Sequence, residues 1–238
     1  MYYYVFDPPS GPKEYERTAQ IKAYLSQIGI GGESAQPQPG RSVEDLVASA
    51  LIKRYSTLVA VGGISLITKM AASLKGRDAV FGIIPLFSHP DIAELIGSSE
   101  WKAAADALPR RRFQERRVGY INDSVPFITP ARISLENKTA IVQAEHFELL
   151  LNSGVITLTP ECEQITLSHD RPLPQRSWLQ RFAKPNAATD RTLFHTSACT
   201  ITSPVLTSVS VAGADVAQLP LEVQASTGIL RIIVGPKA

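Results

Sequence analysis

The chain has 238 residues, of which 44% are hydrophobic and 19% charged, and its formal net charge is +2. This length suits one large domain or two small ones, and the small net charge excludes a surface that is basic throughout. The two cysteines, Cys162 and Cys199, can form at most one bridge, which excludes a disulfide framework, and neither lies in a C-x-x-C zinc pair.

Residues 1–118 alternate short apolar runs with stretches of helical periodicity. The runs Tyr2–Phe6, Leu58–Val61 and Val80–Ile84 predict strands, and the last two are apolar throughout, as in buried parallel strands. Helices are predicted between them. They comprise one with its apolar face from Ala19 to Ile28, one over 42–55 capped by Ser42, and others over 65–74, 91–95 and 100–108. This alternation predicts a three-layer α/β domain over residues 1–118, with a parallel sheet between helices.

The second half of the chain has a different texture. Short β-rich segments are predicted at 155–159, 164–167, 197–202, 205–211 and 229–234, with turns at 152–154, 212–215 and 226–228. The stretch 170–190 is predicted to be a long loop. We therefore predict an antiparallel β-sandwich domain over residues 119–238.

A pair of glycines, Gly62-Gly63, separates a predicted buried strand from a predicted helix. Glycines let the backbone approach a ligand closely, and the start of a helix offers N–H groups and partial positive charge to an anion. The pattern is therefore a phosphate site in outline. A tight turn with no ligand explains the same two glycines, and the sequence leaves both interpretations open.

A second segment, Gly82-Ile83-Ile84-Pro85-Leu86, follows about twenty residues after the turn. Together they resemble the catalytic domain of the diacylglycerol kinase and bacterial lipid kinase family, which is related in fold to NAD kinases. That family carries V-G-G-D-G-T on its glycine turn, then G-I-I-P-L-G-T-G-N-D-F-A. Its C-terminal strands, with a D-G-E turn, resemble the stretch from Val209 to Val234. The resemblance spans nearly the whole chain and is poorest in the middle of the β domain.

The resemblance implies a nucleotide site at seven positions of this chain: Asp7, Ser10, Gly62, Gly63, Ser65, Ser88 and Asp91. It also implies ATP and Mg²⁺ as cofactors wherever kinase activity is retained. By itself the sequence predicts no metal ligands.

The departures from the family pattern fall on its chemical groups. Ile64, Ser65 and Leu66 replace the Asp, Gly and Thr of the first motif. Phe87, His89 and Pro90 replace the two glycines and the asparagine of the second. Late in the chain, Ala212 and Ala214 replace an acidic pair whose Asp is, in the family, the general base on the lipid hydroxyl.

Phosphoryl transfer depends on positioning and on neutralisation of charge by metal and cations, and these three motifs supply both. We therefore expect a lipid-kinase-like protein with impaired catalysis, which acts by binding a lipid, a nucleotide or a protein partner. We expect Ile64 and Phe87 to fill the old pocket, and His89 either to fill it as well or to meet a phosphate.

Two alternatives remain. The first is an active kinase with altered metal ligation, using Asp91 and Asp215, with ATP and Mg²⁺ as cofactors. The second is a serine hydrolase, because Gly63-Ile64-Ser65-Leu66-Ile67 differs from a G-x-S-x-G nucleophile elbow only at its last position. In that mechanism Ser65 is the nucleophile, with His169 or His195 as base. Otherwise, the hydroxyl of Ser65 caps the helix.

The stretch 110–117 holds five arginines and one glutamate, a local charge of +4. Two functions suit Arg110, Arg111, Arg112, Arg116 and Arg117: a solvated segment between domains, or attraction to anionic lipid headgroups and phosphates. Phe113 could then insert at the interface. Nucleic acid is the poorer partner, because aromatic residues are not interleaved with the basic ones elsewhere.

The location expected from the sequence is the cytoplasm, in reduced form. No apolar run reaches the roughly 18 residues of a membrane-spanning helix, and the apolar start lacks the basic segment of a secretory signal. A peripheral position at a membrane follows if the arginines bind lipid, and self-association into a homo-oligomer stays open.

Overall fold

The computed structural model describes residues 1–161, 164–172 and 189–235, with only the backbone at 171, 172, 189 and 190. Cys162 and most of the predicted loop 170–190 therefore lie outside the described residues.

Within the described residues the α-helices are α1 Pro12–Gln27, α2 Val43–Ile52, α3 Ile64–Leu74, α4 Pro90–Ile96 and α5 Trp101–Ala107, followed by a 3-10 turn at Leu108–Arg110. The strands of the first half are β1 Tyr2–Phe6, β2 Glu33–Ala35, β3 Thr57–Gly62, β4 Val80–Pro85 and β5 Phe113–Ile121. Those that follow are β6 Val125–Phe127, β7 Ala131–Ser134, β8 Thr139–Ala144, β9 Phe147–Asn152, β10 Val155–Pro160, β11 Ile165–Pro172, β12 Thr189–Thr196, β13 Ala198–Thr202, β14 Ser208–Val211, β15 Ala214–Gln218 and β16 Leu221–Ile233.

The chain divides into two compact units. The first holds Met1–Val118, Pro126–Thr129 and the chain from Ser226 onward, and the second holds Gly119–Val125 and Pro130–Ala225. Val118 is the last residue of the first segment of the first unit. The end of the chain groups with the first unit rather than with 119–225, because Arg231 and Ile232 of β16 pair with β4.

The first unit is built on a parallel sheet with strand order β2-β1-β3-β4-β16. All residues of β3 and β4 are buried, as the apolar runs predict. Helices α2 and α3 contact each other, α1 contacts α5, and α3 and α5 pack on the sheet. With right-handed crossovers these pairs cover opposite faces of the sheet, which is the predicted three-layer architecture.

Capping chemistry sets the start of α2 as predicted. The Asp45 N–H donates to the Ser42 hydroxyl oxygen over 3.2 Å, and the Ser42 N–H donates to an Asp45 carboxylate oxygen over 2.9 Å. This reciprocal capping box satisfies two N–H groups at the helix start. Residues 43, 46, 47 and 50 then place one apolar face against the core.

The second unit is antiparallel, as predicted. One sheet has the order β12-β11-β10-β7-β14-β15, and β13, β8, β9 and the start of β16 form the other. Strands such as β8 and β10 bury alternate residues, so each sheet turns one face to a shared core, as in a β-sandwich. The rings of Phe147 on β9 and Phe194 on β12 lie 5.3 Å apart at one edge.

Several predicted boundaries are wrong. Residues 170–172 and 189–190, predicted as loop, belong to β11 and β12, which pair with each other. Residues 205–207, predicted as strand, precede β14. The predicted turn at 226–228 lies inside β16, where the Ser226 hydroxyl accepts from the Val118 N–H and donates to the Gly228 carbonyl. Side-chain and cross-strand bonds that local composition does not encode decide each of these cases.

Candidate functional site

The glycine turn lies at the edge of the sheet where the parallel strands end. β3 ends at Gly62, and Gly63 is the N-cap residue of α3, with no side chain capping the helix. Gly62 is in register with Pro85 at the end of β4, and the Leu86 N–H donates to its carbonyl over 3.2 Å. The strand order reverses between β1 and β3, and in open α/β sheets ligands bind at that point. The turn is therefore the candidate site.

The group that lies over this turn is a carboxylate. Asp7 follows β1 directly, and its N–H donates to the Val61 carbonyl over 2.9 Å. Its Oδ2 accepts the Gly63 N–H over 2.6 Å. Burial raises the pKa of Asp7, the bond from Gly63 opposes that effect, and Glu14 adds to it. A side-chain anion of the protein itself thus lies where α3 offers its first N–H group.

The position of the Asp7 carboxylate leaves no space for a side chain on Gly62. A Cβ placed on Gly62 would collide with the Asp7 carboxyl group and with the Leu66 side chain. One placed on Gly63 would lie 3.7 Å from Asp7 Oδ2, an ordinary contact. Close packing inside the protein therefore explains the first glycine without any ligand, which is the tight-turn alternative.

Three side chains are expected to fill the pocket: Ile64, Phe87 and His89. Phe87 is 58% exposed. His89 is the N-cap residue of α4, and its Nδ1 accepts the Asp91 N–H over 3.2 Å. Ile64 is the half-buried first residue of α3. That Ile64, Phe87 and His89 fill the space over the turn stays a prediction.

Three other residues predicted to contact a nucleotide, Ser10, Ser88 and Asp91, follow the ends of β1 and β4. The Ser10 N–H donates to a Glu14 carboxylate oxygen over 2.8 Å, and this bond lowers the pKa of Glu14. Ser88 is exposed in the loop after β4, and Asp91 is buried at the start of α4. Direct contacts bring Asp7, Gly62 and Gly63 together.

Ser65 lies exposed at the second position of α3. It does not cap the helix, because the N-cap residue is Gly63; the expectation that it caps is therefore wrong. The two histidines considered as its base belong to the second unit. The His169 ring bonds the Ser153 carbonyl over 2.8 Å, and the His195 ring bonds the Thr166 hydroxyl over 3.1 Å.

The arginines divide into two groups. Arg110, Arg111 and Arg112 are exposed around the 3-10 turn. Arg116 and Arg117 are half-buried in β5, a strand that the sequence analysis did not predict, and the Arg117 guanidinium donates to the Ser226 carbonyl over 2.6 Å. Only the first group presents its charge fully to solvent.

Phe113 at the start of β5 is not a detached aromatic side chain. The Arg231 guanidinium lies 5.8 Å from its ring centroid and also pairs with Asp78 over 2.6 Å.

Among the residues that the structure describes, no helix is both long and apolar enough to cross a membrane.

Asp215 lies exposed on β15, in register with Ser210 on β14. The turn between these strands uses Ala212 and Gly213, both with positive φ, at the position of the family's acidic turn. Over the described ranges, no group of three or more His, Cys, Asp or Glu side chains is placed to hold a metal ion.

No family model and no curated protein matches the sequence. Solved structures do match the fold. A diacylglycerol kinase from Bacillus anthracis superposes with a TM-score of 0.71 at 11% identity, covering 99% of this chain and 97% of its own. The yeast NADH kinase in complex with NADH superposes with a TM-score of 0.52 at 12% identity, covering 100% of this chain and 84% of its own. The chain therefore has the fold that diacylglycerol kinases and NAD kinases share.

Proposed function

We propose that this protein is a lipid-kinase-fold binding protein that does not transfer phosphate from ATP. The main support for this proposal is the 2.6 Å hydrogen bond from the Gly63 N–H to the Asp7 carboxylate. In this fold the start of α3 is where a phosphate would accept N–H groups. A phosphate placed there would have to displace a buried carboxylate or lie against its negative charge.

The residues at the turn do not fit Mg²⁺-ATP. Ile64 provides an aliphatic side chain where the family motif has a metal-binding carboxylate. Asp7 is already bonded to the turn, so it adds negative charge beside the phosphates rather than neutralising them. Phosphoryl transfer needs the opposite arrangement, in which metal and cations surround the transferred group.

The alternative of an active kinase with altered ligation has less support. Asp215 is exposed on a hairpin of the second unit, and Asp91 is buried at the start of α4. The serine hydrolase has still less, because both histidines considered for it are bonded within the second unit.

The partner we favour is an anionic lipid surface. Arg110, Arg111 and Arg112 are consecutive and exposed, and each basic residue near an anionic membrane surface contributes about 1 kcal/mol of attraction. The other two arginines of the stretch are half-buried in β5 and are less available to such a surface.

The decisive experiment follows label from γ-³²P-ATP with Mg²⁺ into diacylglycerol in mixed micelles, using the purified full chain. We expect no incorporation above a heat-denatured control, and no thermal stabilisation by Mg²⁺-ATP. Steady turnover onto any lipid acceptor would refute the loss of catalysis.

The lipid partner is tested separately with the triple variant Arg110→Gln, Arg111→Gln, Arg112→Gln. We expect it to lose co-sedimentation with phosphatidylserine vesicles, with thermal stability unchanged. The matched control removes three exposed charges elsewhere in the first unit, with Lys13→Gln, Arg54→Gln and Lys69→Gln. Equal losses in both triple variants would contradict a specific arginine surface.

A further inference from the structure

A cavity lies at the outer edge of the parallel sheet, around strand β2. Its volume is about 300 Å³, and its lining is mainly polar. Its lining includes Tyr3, Lys22, Glu33, Gln36, Gln38 and Arg41. All belong to the first unit, and none is part of the glycine turn.

The Tyr3 hydroxyl is an unexplained buried polar group in this lining. Tyr3 is only 1% exposed, and within the described chain its hydroxyl has no hydrogen-bond partner. Buried tyrosine hydroxyls usually find a partner, because an unsatisfied donor loses its bonds to water. Burial raises its pKa, while Arg41 and Lys53 lower it and Glu33 raises it further, so the hydroxyl lies among these charges.

The cations of the cavity outnumber its available anions. Glu33 already accepts bonds from the Lys53 ammonium at 2.7 and 3.0 Å and from the Tyr55 hydroxyl at 2.6 Å. Lys22 and Arg41 form no ion pair with any residue that the structure describes. The Lys22 ammonium lies 4.8 Å from the centroid of the Phe6 ring.

Main-chain bonds fix the position of Arg41 at this cavity. Its N–H donates to the Gln38 carbonyl over 2.9 Å, and the Gln38 N–H donates to the Arg41 carbonyl over 3.1 Å. This small bridge closes a turn within the loop between β2 and α2. The guanidinium is therefore presented from a constrained backbone.

We propose that the cavity beside β2 is a binding site for a phosphate group, held by Arg41, Lys22 and the Tyr3 hydroxyl. An arginine fork and a lysine point charge are the side chains that suit phosphate. The volume of about 300 Å³ is at the low end of ligand pockets, which run from about 300 to 1,000 Å³, so the site suits a phosphate with few attached atoms rather than a nucleotide. The phosphate belongs to a soluble phosphomonoester or to a lipid headgroup.

The first experiment titrates inorganic phosphate into the full chain by calorimetry at constant ionic strength. We expect saturable binding, weakened roughly 10- to 100-fold by Arg41→Gln or by Lys22→Gln, as for lost hydrogen bonds to a charged group. Lys13→Gln, an exposed lysine of α1 outside the lining, is the matched control and should keep wild-type affinity. Absence of binding, or an equal loss in the control, overturns the proposal.

Tyr3→Phe separates a ligand role from a structural one. Because the hydroxyl has no partner in the described chain, its removal should not lower thermal stability in the absence of phosphate. It should nonetheless reduce the stabilisation that phosphate gives. Lower stability without phosphate, together with an unchanged phosphate response, would show that the hydroxyl serves the fold and overturn its role here.

A parallel arm identifies the source of the phosphate. Phosphatidylcholine vesicles with and without phosphatidic acid are co-sedimented with wild type and with Arg41→Gln. Loss of phosphatidic acid binding in Arg41→Gln, with binding to phosphatidylserine vesicles unchanged, assigns the site to a lipid headgroup. Binding of inorganic phosphate without Arg41-dependent vesicle binding assigns it to a soluble phosphomonoester.

Discussion

At the scale of single residues, one carboxylate decides the character of the candidate site. Asp7 lies over the Gly62-Gly63 turn and accepts the N–H that begins α3. Two consequences can be measured. Gly62 must stay without a side chain, and the stability of the protein must respond to the charge of Asp7.

We expect Gly62→Ala to destabilise the protein by about 1–3 kcal/mol, because the new methyl group meets the Asp7 carboxylate and Leu66 in a packed site. Urea unfolding measures this. Gly63→Ala, one residue later and without such a collision, should lie within about 0.5 kcal/mol of wild type. Equal effects would show that the two glycines are constrained alike.

The pKa of Asp7, raised mainly by burial, links stability to pH. An acid whose pKa is higher in the folded state contributes stability below its unfolded value of 3.8, and that contribution is lost as pH rises through the folded pKa. Asp7→Asn cannot titrate but can still accept the Gly63 N–H. The stability of wild type relative to Asp7→Asn should therefore fall as pH rises above about 4 in urea titrations. A difference that is constant or rises with pH would contradict the raised pKa.

At the scale of elements, the ends of the helices show which local signals have a structural role. Ser42 begins α2 with a capping box, whereas Ser65 sits exposed inside the first turn of α3, where glycine is the N-cap residue. Both serines lie close to the start of a helix that has an apolar face. Only the folded positions distinguish a cap from a solvent-facing hydroxyl.

We expect Ser42→Ala to lower the free energy of unfolding by about 1 kcal/mol, the usual loss for a capping side chain. The same change at Ser65 should alter it by less than about 0.5 kcal/mol, since this residue is exposed and is not the cap. Circular dichroism during thermal and urea unfolding provides the comparison. A larger loss at Ser65 would restore it as a structural or functional residue.

Among the strands, β5 shows how a charged sequence can still be part of a sheet. Its first residues include Glu115, Arg116 and Arg117, which suggest a solvated segment. Later in the strand Val118 and Ile121 are buried, and β5 pairs with β16. Val118 on β5 donates its N–H to the hydroxyl of Ser226 on β16, and these two residues are 108 positions apart in the sequence. Local periodicity could not reveal a contact over that distance.

For the molecule as a whole, the two units are built from different kinds of sheet. The first is a parallel sheet covered by helices, and the second buries Cys199 between antiparallel strands. Burial raises the pKa of the Cys199 thiol to about 12, so the reactive thiolate is scarce at neutral pH. This thiol therefore reports on opening of the second unit.

We expect Cys199 in a Cys162→Ser variant to resist Ellman's reagent at pH 8 until urea unfolds the second unit. The labelling rate should follow the unfolding transition seen by fluorescence. The double variant Cys162→Ser, Cys199→Ser provides the background. Fast labelling of the native protein would show that this core is open to solvent.

Local sequence patterns predict the α/β class of the first half of the chain and the antiparallel β class of the second half. The apolar runs at β1, β3 and β4 and the cap at Ser42 are local signals, and local signals are sufficient for buried parallel strands and for the start of a helix. The same runs, with the two glycine-containing motifs, carried the resemblance that the superposed structures confirm at the level of fold.

The contact at the glycine turn depends on how distant parts of the chain fold together. Asp7 and Gly63 are 56 residues apart, and the pairing of β1 with β3 brings the carboxylate to the helix start. The cavity beside β2 likewise joins residues from β1, α1 and the loop before α2. A site of this kind depends on distances between side chains on neighbouring elements, and those distances are set by sheet register and helix packing rather than by any local pattern.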